Sequence, residues 1–317
     1  MNKKVQLTLS LLFILLLAAC GNKENIEKSD QISIYTTVYP LQYFAERIGG
    51  DAVNVQSIYP PGADEHSFDP TQKEMIKLAD ADLFFYIGLG LEGFVENAEK
   101  TMKNEHVKMI ATADAITEDM LEEDHDHDHE EDEDHEHEHD HGEFDPHVWI
   151  SPVLSDALAF SVKEALIEAA PDKKEQFEEN FEALRDDLIK LDRQFIDMAS
   201  NAPTKTFYVS HAAFGYLADT YGLEQVAIAG LNSQSEPSQK QLATLVQEAK
   251  EQNIKYVLFE QNITSQLTDV IRKEIDAEAL MLHNLSVLTT EDINNEEDYI
   301  SLMEQNVETL KQALSGK

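Results

Sequence analysis

Seven apolar residues, Phe177, Phe181, Leu184, Leu188, Leu191, Phe195 and Met198, recur every three or four positions across residues 173–200. This spacing lays one apolar stripe along a single helix. At about 1.5 Å per residue the helix is roughly 40 Å long, more than one small domain needs to close its core. A coiled coil would satisfy the same spacing, but α/β patterns resume on both sides of the tract. The chain therefore reads as α/β, two lobes joined by one long rigid linking helix.

On the N-terminal side, short apolar runs of strand length fall at 32–37, 53–59, 83–87 and 107–110, with helical spacing at 41–48, 71–79 and 91–102. An amphipathic stretch at 154–169 and a helix start at Pro171-Asp172 lead into the long tract. On the C-terminal side, strands are predicted at 206–210, 224–228, 256–259 and 279–282, and helices at 212–221, 238–252, 264–275 and 297–314. Such alternation argues for parallel sheets with helices on both faces. Ligands of this architecture bind beyond the carboxyl ends of the strands. The two halves show no close sequence repeat.

The N-terminus has the form of a processing signal. Lys3 and Lys4 precede an apolar run at 7–17, too short to span a bilayer comfortably, which ends in Leu17-Ala18-Ala19-Cys20. Small residues ahead of a cysteine have the pattern of a bacterial lipoprotein signal. Cys20 is the only cysteine, so no intrachain disulfide forms, and its place at the signal's exit makes it the candidate lipidation site. The expected organisation is a signal peptide at 1–19, a lipidated flexible tether at 20–30, an N-terminal lobe at 31–170, the linking helix at 171–202 and a C-terminal lobe at 203–317. A lipid-bearing terminus places the protein outside the cytoplasmic membrane, tethered and not spanning it.

Residues 121–141 read LEEDHDHDHEEDEDHEHEHDH: seven histidines, 13 acidic residues and one leucine. Such a segment has almost nothing apolar to bury against the cost of ordering, so it is expected to be a disordered loop within the first lobe. A solvated acidic linker is the plainer reading. Interleaved imidazole and carboxylate, however, is a composition that attracts Zn, Cu or Ni. His125, His127, His129, His135, His137, His139 and His141 are thus candidates for auxiliary metal recruitment. The whole chain carries 62 Asp or Glu against 24 Lys or Arg, a net charge of −38, and remains acidic without this segment. That excludes binding nucleic acid by charge, favours a cationic ligand, and in good part simply keeps the protein soluble.

Three of the remaining five histidines sit where strands deliver ligands. His66 lies in YPPGADEHSFDP, a Pro/Gly-rich loop past a strand end; His147 lies in DPHVWISP; His211 follows directly on the strand at 206–210. Any one alone reads better as a hydrogen-bonded loop histidine. Three in equivalent places, beside a His-rich segment, read as a metal site. His106, in a polar turn, reads as surface.

These segments, with SHAAFGYLADTYGL and VLFEQNITSQ, resemble the zinc-specific solute-binding lipoproteins of bacterial ABC importers over the whole mature chain. That family also holds manganese-binding relatives. The resemblance implies two (β/α) lobes, a long rigid helix, and Zn2+ bound as transported substrate in the cleft between the lobes. It maps the metal ligands to His66, His147 and His211. It also implies an ABC permease and its associated ATPase as partners, a likeness to cell-adhesion relatives, and a monomer held extracytoplasmically on the cell membrane through Cys20.

The fourth position stays open. Relatives with a late carboxylate supply it near residues 282–286, where this chain offers none, and Ser286 is expected in its place. The alternatives are water, Glu65 or His283. Glu260, ending a strand, would support the site from behind or cap the following helix. Trp149 and Phe214 are expected to pack beside the site. A third imidazole suits zinc better than manganese. A manganese-binding member of the family, or a surface adhesin or metal-storage lipoprotein, is the alternative function. Three histidines with an open position also describe some catalytic zinc sites. The chain has no HExxH helix, no Cys-x-x-Cys pair and no nucleophile elbow, so an enzyme is not expected; without GxxxxGK[ST] it does not handle ATP.

Overall fold

A computed structural model describes residues 31–121, 144–232, 235, 237–261 and 266–316. The signal and tether with Cys20, and the seven loop histidines, lie outside the described residues.

The first half forms a sheet of β1 (Ile32–Thr36), β2 (Val53–Ser57), β3 (Leu83–Tyr86) and β4 (Lys108–Ala111), in the order β2-β1-β3-β4. The second half forms β5 (Thr206–His211), β6 (Glu224–Ala229), β7 (Tyr256–Phe259) and β8 (Glu278–Met281), in the order β6-β5-β7-β8. Every pairing is parallel. The two sheets thus share one topology that no sequence repeat announces. In each, the chain steps to one side of its first strand and then crosses back to the other. Connections diverge there, between the first and third strands, and open a crevice at their carboxyl ends.

The helices are α1 (Tyr39–Gly49), α2 (Gln72–Ala79), α3 (Val95–Met102), α4 (Pro152–Ala169), α5 (Lys174–Asn201), α6 (Gly215–Tyr221), α7 (Gln239–Glu251), α8 (Gln266–Glu274), α9 (Thr290–Asn294) and α10 (Tyr299–Ala313). The long helix α5 buries the seven predicted apolar residues and Ala199. Burying each large side chain of that stripe stabilises by about 1.5–3 kcal/mol. The helix is no free strut, for it packs against α4, α1 and α10. The closing helix reaches back across the molecule: Tyr299 stacks on Tyr43 of α1 at 5.8 Å between ring centroids. One apolar cluster accordingly runs from Ile32 to Leu314, drawing on both halves, and a smaller one gathers Tyr208, Val257 and Ile271 in the second half.

Two helix starts fall three or more residues after the expected ones, in each case because a polar group found another partner. The helix expected from residue 91 begins at Val95. Gly88, Leu89 and Gly90 all take positive φ, and Glu92 folds back to accept from the backbone of Ile87 and Gly88. The helix expected from 212 begins at Gly215, since Ala212 N donates to Gly230 O and Phe214 N to Gln225 Oε1. The closing helix, expected at 297–314, runs unbroken from Tyr299 with Asp298 as its cap, and a short helix the sequence reading did not list, α9, precedes it from a Thr289–Asp292 capping box.

Candidate metal centre

His66 sits in the loop after β2, where its backbone N–H donates to Asp64 Oδ1 at 3.0 Å. This side-chain turn fixes the loop that also presents Glu65. His147 precedes a single 3₁₀ turn, Val148–Ile150, ahead of α4. Asp145 holds it twice: Oδ1 accepts from its backbone N–H at 2.9 Å and lies 2.7 Å from ring Nδ1. His211 is the last residue of β5, not the residue after it. Its Nδ1 is 2.6 Å from Glu260 Oε1, and Glu260 follows β7 directly. In both cases a carboxylate placed to accept from Nδ1–H favours the tautomer that leaves the Nε2 lone pair for a cation.

The Nε2 atoms converge. That of His147 is 3.2 Å from that of His66 and 3.4 Å from that of His211. Donors about 2.0–2.1 Å from a tetrahedral zinc stand about 3.3–3.4 Å apart. Glu65 joins them, so that one atom from each of the four residues lies within 4.8 Å of the others. Its Oε1 accepts from Asn284 Nδ2 at 3.3 Å, whereas its Oε2 is buried without a hydrogen-bond partner. A buried, unpartnered carboxylate oxygen beside three converging lone pairs is costly unless a cation satisfies them.

Burial governs the charges here. It pushes the Glu65 carboxyl up, although its own backbone N–H, then His147, His211 and the Ser286 hydroxyl, pull it back in part. It pushes the His66 imidazole down to about 3, with His147 and His211 adding to the effect. At His211 burial also pulls down, but the hydrogen-bonded Glu260, with Glu65 and Asp145, outweighs it and the net direction is up.

The other predicted residues fall outside this group. His283 has its backbone paired to Asn306 on both sides and an imidazole that burial pushes down. His106 is exposed, 2.7 Å from Asp82. Ser286 donates to Asn284 Oδ1 at 3.0 Å. Trp149 is buried beside the cluster, 5.4 Å from the His147 ring, and its Nε1 donates to Asn284 O at 2.6 Å. Phe214 is buried at the start of α6. Sequence reading missed Asp145 and Asn284. Asp145-Pro146-His147 carried a signal, since a carboxylate two residues before a histidine can reach both its backbone and its ring. Asn284 carried none.

Fold and site together define a two-lobed α/β protein with a compact, nitrogen-rich candidate cation site built from both halves. Residues 34–313 match the family model described as ZnuA, zinc-uptake complex component A, periplasmic, and the chain belongs to that family. It is 39% identical over 311 residues to the zinc-binding lipoprotein AdcA of Streptococcus pneumoniae, covering 98% of this chain and 61% of the relative. The chain thus spans under two thirds of that longer protein. It is 38% identical over 310 residues to the high-affinity zinc uptake system protein ZnuA of Bacillus subtilis, covering 96% of this chain and 95% of the relative. Among solved structures, the Zn(II)-bound ZnuA-like domain of Streptococcus pneumoniae AdcA superposes with a TM-score of 0.73 at 36% identity, covering 90% of this chain and 99% of that one.

Proposed function

We propose that this protein captures Zn2+ outside the cytoplasmic membrane and hands it to the permease of an ABC importer, whose associated ATPase drives uptake. One observation carries the reading: three Nε2 atoms spaced at 3.2 and 3.4 Å beside an unpartnered Glu65 Oε2. That donor set suits zinc, for which three imidazoles and one oxygen fill a tetrahedron. In this reading His66, His147 and His211 are the ligands and Glu65 the fourth. Asp145 and Glu260 orient two of the imidazoles.

The protein binds and releases its ion and performs no reaction. No helix among the described residues is long and apolar enough to cross a membrane, and in this reading the lipid on Cys20 tethers a monomer to the cell membrane. Residues 31–170 and 203–317 act as the lobes and 171–202 as their link. The histidines of 121–141 recruit zinc weakly nearby. The test is metal content after dialysis of apo protein lacking residues 121–141 against equal, limiting Zn2+ and Mn2+. One tightly held zinc is expected. Retained manganese, or no retained metal, contradicts the assignment.

A further inference from the structure

We propose that Asn284 is a positioning residue that restricts Glu65 to one coordinating oxygen and thereby biases the site toward zinc over manganese. The inference rests on the ligand set proposed above. Asn284 is fully buried in the loop after β8. Its Oδ1 accepts from Gln261 Nε2 at 3.1 Å, Ser286 N at 3.1 Å and Ser286 Oγ at 3.0 Å. Its main-chain oxygen accepts from Trp149 Nε1 at 2.6 Å. Those donors fix which way the amide faces, because a flipped amide would turn its NH2 toward donors and its oxygen toward carboxylates.

The amino group therefore points at two acidic residues, one from each half of the chain. It donates to Glu65 Oε1 at 3.3 Å and to Glu260 Oε2 at 3.0 Å. At Glu260 this leaves Oε1 for His211 Nδ1. At Glu65 it engages Oε1 and leaves Oε2, buried and without a partner, as the oxygen available to a cation. Glu65 then supplies one donor, and with three nitrogens the count is four. Chelation through both oxygens would raise the count and would require breaking the Asn284 bond. Zinc is content with four nitrogen and oxygen donors in a tetrahedron, whereas manganese seeks more oxygen in an octahedron. A neutral amide is suited to the task because its two hydrogens serve two carboxylates without adding charge to the site.

The test uses the full chain with half an equivalent of Co2+, so that the tight site fills before the histidine-rich segment. Unmodified protein is expected to give the intense visible absorption of four-coordinate cobalt. In Asn284→Ser, which removes the amino group, the absorption is expected to weaken toward that of five- or six-coordinate cobalt. The ratio of zinc to manganese affinity should also fall at least tenfold. A purely structural role for Asn284 would lower both affinities together and leave the ratio and the spectrum's form unchanged. If the unmodified protein is not four-coordinate, the ligand reading itself fails. If it is, and Asn284→Ser keeps both spectrum and ratio, the Asn284 inference alone is overturned. Should Asn284→Ser not fold, X-ray absorption on the zinc-loaded parent decides: four light-atom donors at about 2.0–2.2 Å are expected, and a fifth donor overturns the inference.

Discussion

The two sheets have the same strand order, and each carries a buried glutamate between the carboxyl ends of its first and third strands. In the first, Glu92 accepts from Thr37 Oγ1 at 2.8 Å, Ile87 N at 2.8 Å and Gly88 N at 3.1 Å. In the second, Glu260 accepts from Ser210 Oγ, and its other partners are His211 Nδ1 at 2.6 Å and Asn284 Nδ2 at 3.0 Å. Glu92 is committed to its own sheet, where it ties Thr37 after β1 to the backbone after β3. Glu260 is committed to an imidazole, whose far nitrogen then faces the opposite lobe. The difference begins with one side chain, a threonine hydroxyl past β1 against an imidazole at the end of β5. Identical topology thus provides support in one lobe and orientation of a cation donor in the other.

The strongest way to break this comparison is to remove the donors. His66→Ala, His147→Ala and His211→Ala should each weaken zinc binding by more than the 10–100-fold, roughly, that is usual for losing a residue behind a ligand. Two nitrogens keep too few strong donors for a tetrahedral ion. Competition with a chromophoric chelator measures it, and near-parental affinity in any variant removes that residue from the site.

The comparison itself is tested by changing both glutamates. Glu260→Gln should lower zinc affinity by about 10–100-fold, since His211 loses the acceptor that fixes its tautomer. Glu92→Gln should leave affinity unchanged and cost about 1–3 kcal/mol of stability, as buried donors of the first sheet lose a charged acceptor. Chelator competition and thermal unfolding on the same samples separate the two effects. Equal loss of affinity in both variants would mean that the two crevices do not differ in function.

A smaller effect comes from protons. Burial pushes the His66 imidazole down to about 3, so this ring stays neutral across the working range and offers zinc no competition. At His211 burial pulls down but Glu260 prevails, so its pKa lies above the ordinary value. Zinc requires the neutral ring, and a raised pKa means that protonation begins early as pH falls. Affinity should therefore be flat well above about pH 6.5 and then fall as His211 takes up its proton. Zinc titrations between pH 5 and 8 check this. A flat profile, or uptake of three protons, argues against the unequal imidazoles.

The legible parts of this molecule were those written in local periodicity. The stripe from Phe177 to Met198 gave α5 its length and its buried face, and the apolar runs gave all eight strands to within a few residues. His66, His147 and His211 were legible because each stands in a distinctive loop or at a strand end. The shared topology was not, because strand order depends on which side each crossover takes, and side chains such as Tyr35 and Tyr208 do not record it. Asn284 was invisible for a related reason. Its role exists only where the loop after β8 meets the loop after β2, residues 219 apart in sequence. The helix starts at 95 and 215 were misplaced because Glu92 and Gln225 accept hydrogen bonds from the backbone that precedes each helix, a competition that apolar spacing does not report.

The smallest expected effect concerns residues 121–141. Their seven imidazoles and 13 carboxylates belong to a segment with a single apolar side chain, Leu121, which packs at the edge of the main apolar cluster, so little of the core depends on it. All four atoms of the candidate site come from elsewhere, namely Glu65, His66, His147 and His211. Many weak, interchangeable donors raise the local concentration of a cation without fixing one geometry. Deleting the segment should therefore lower the unfolding temperature only slightly, through the loss of Leu121, leave the tight zinc site unchanged, and remove additional weak binding seen by calorimetry. Uptake should slow only when zinc is scarce, because abundant zinc fills the tight site unaided. If the deletion abolished tight binding, a primary donor would lie within 121–141. The contrast between the two crevices would then describe how the protein is held together and not how it takes its ion.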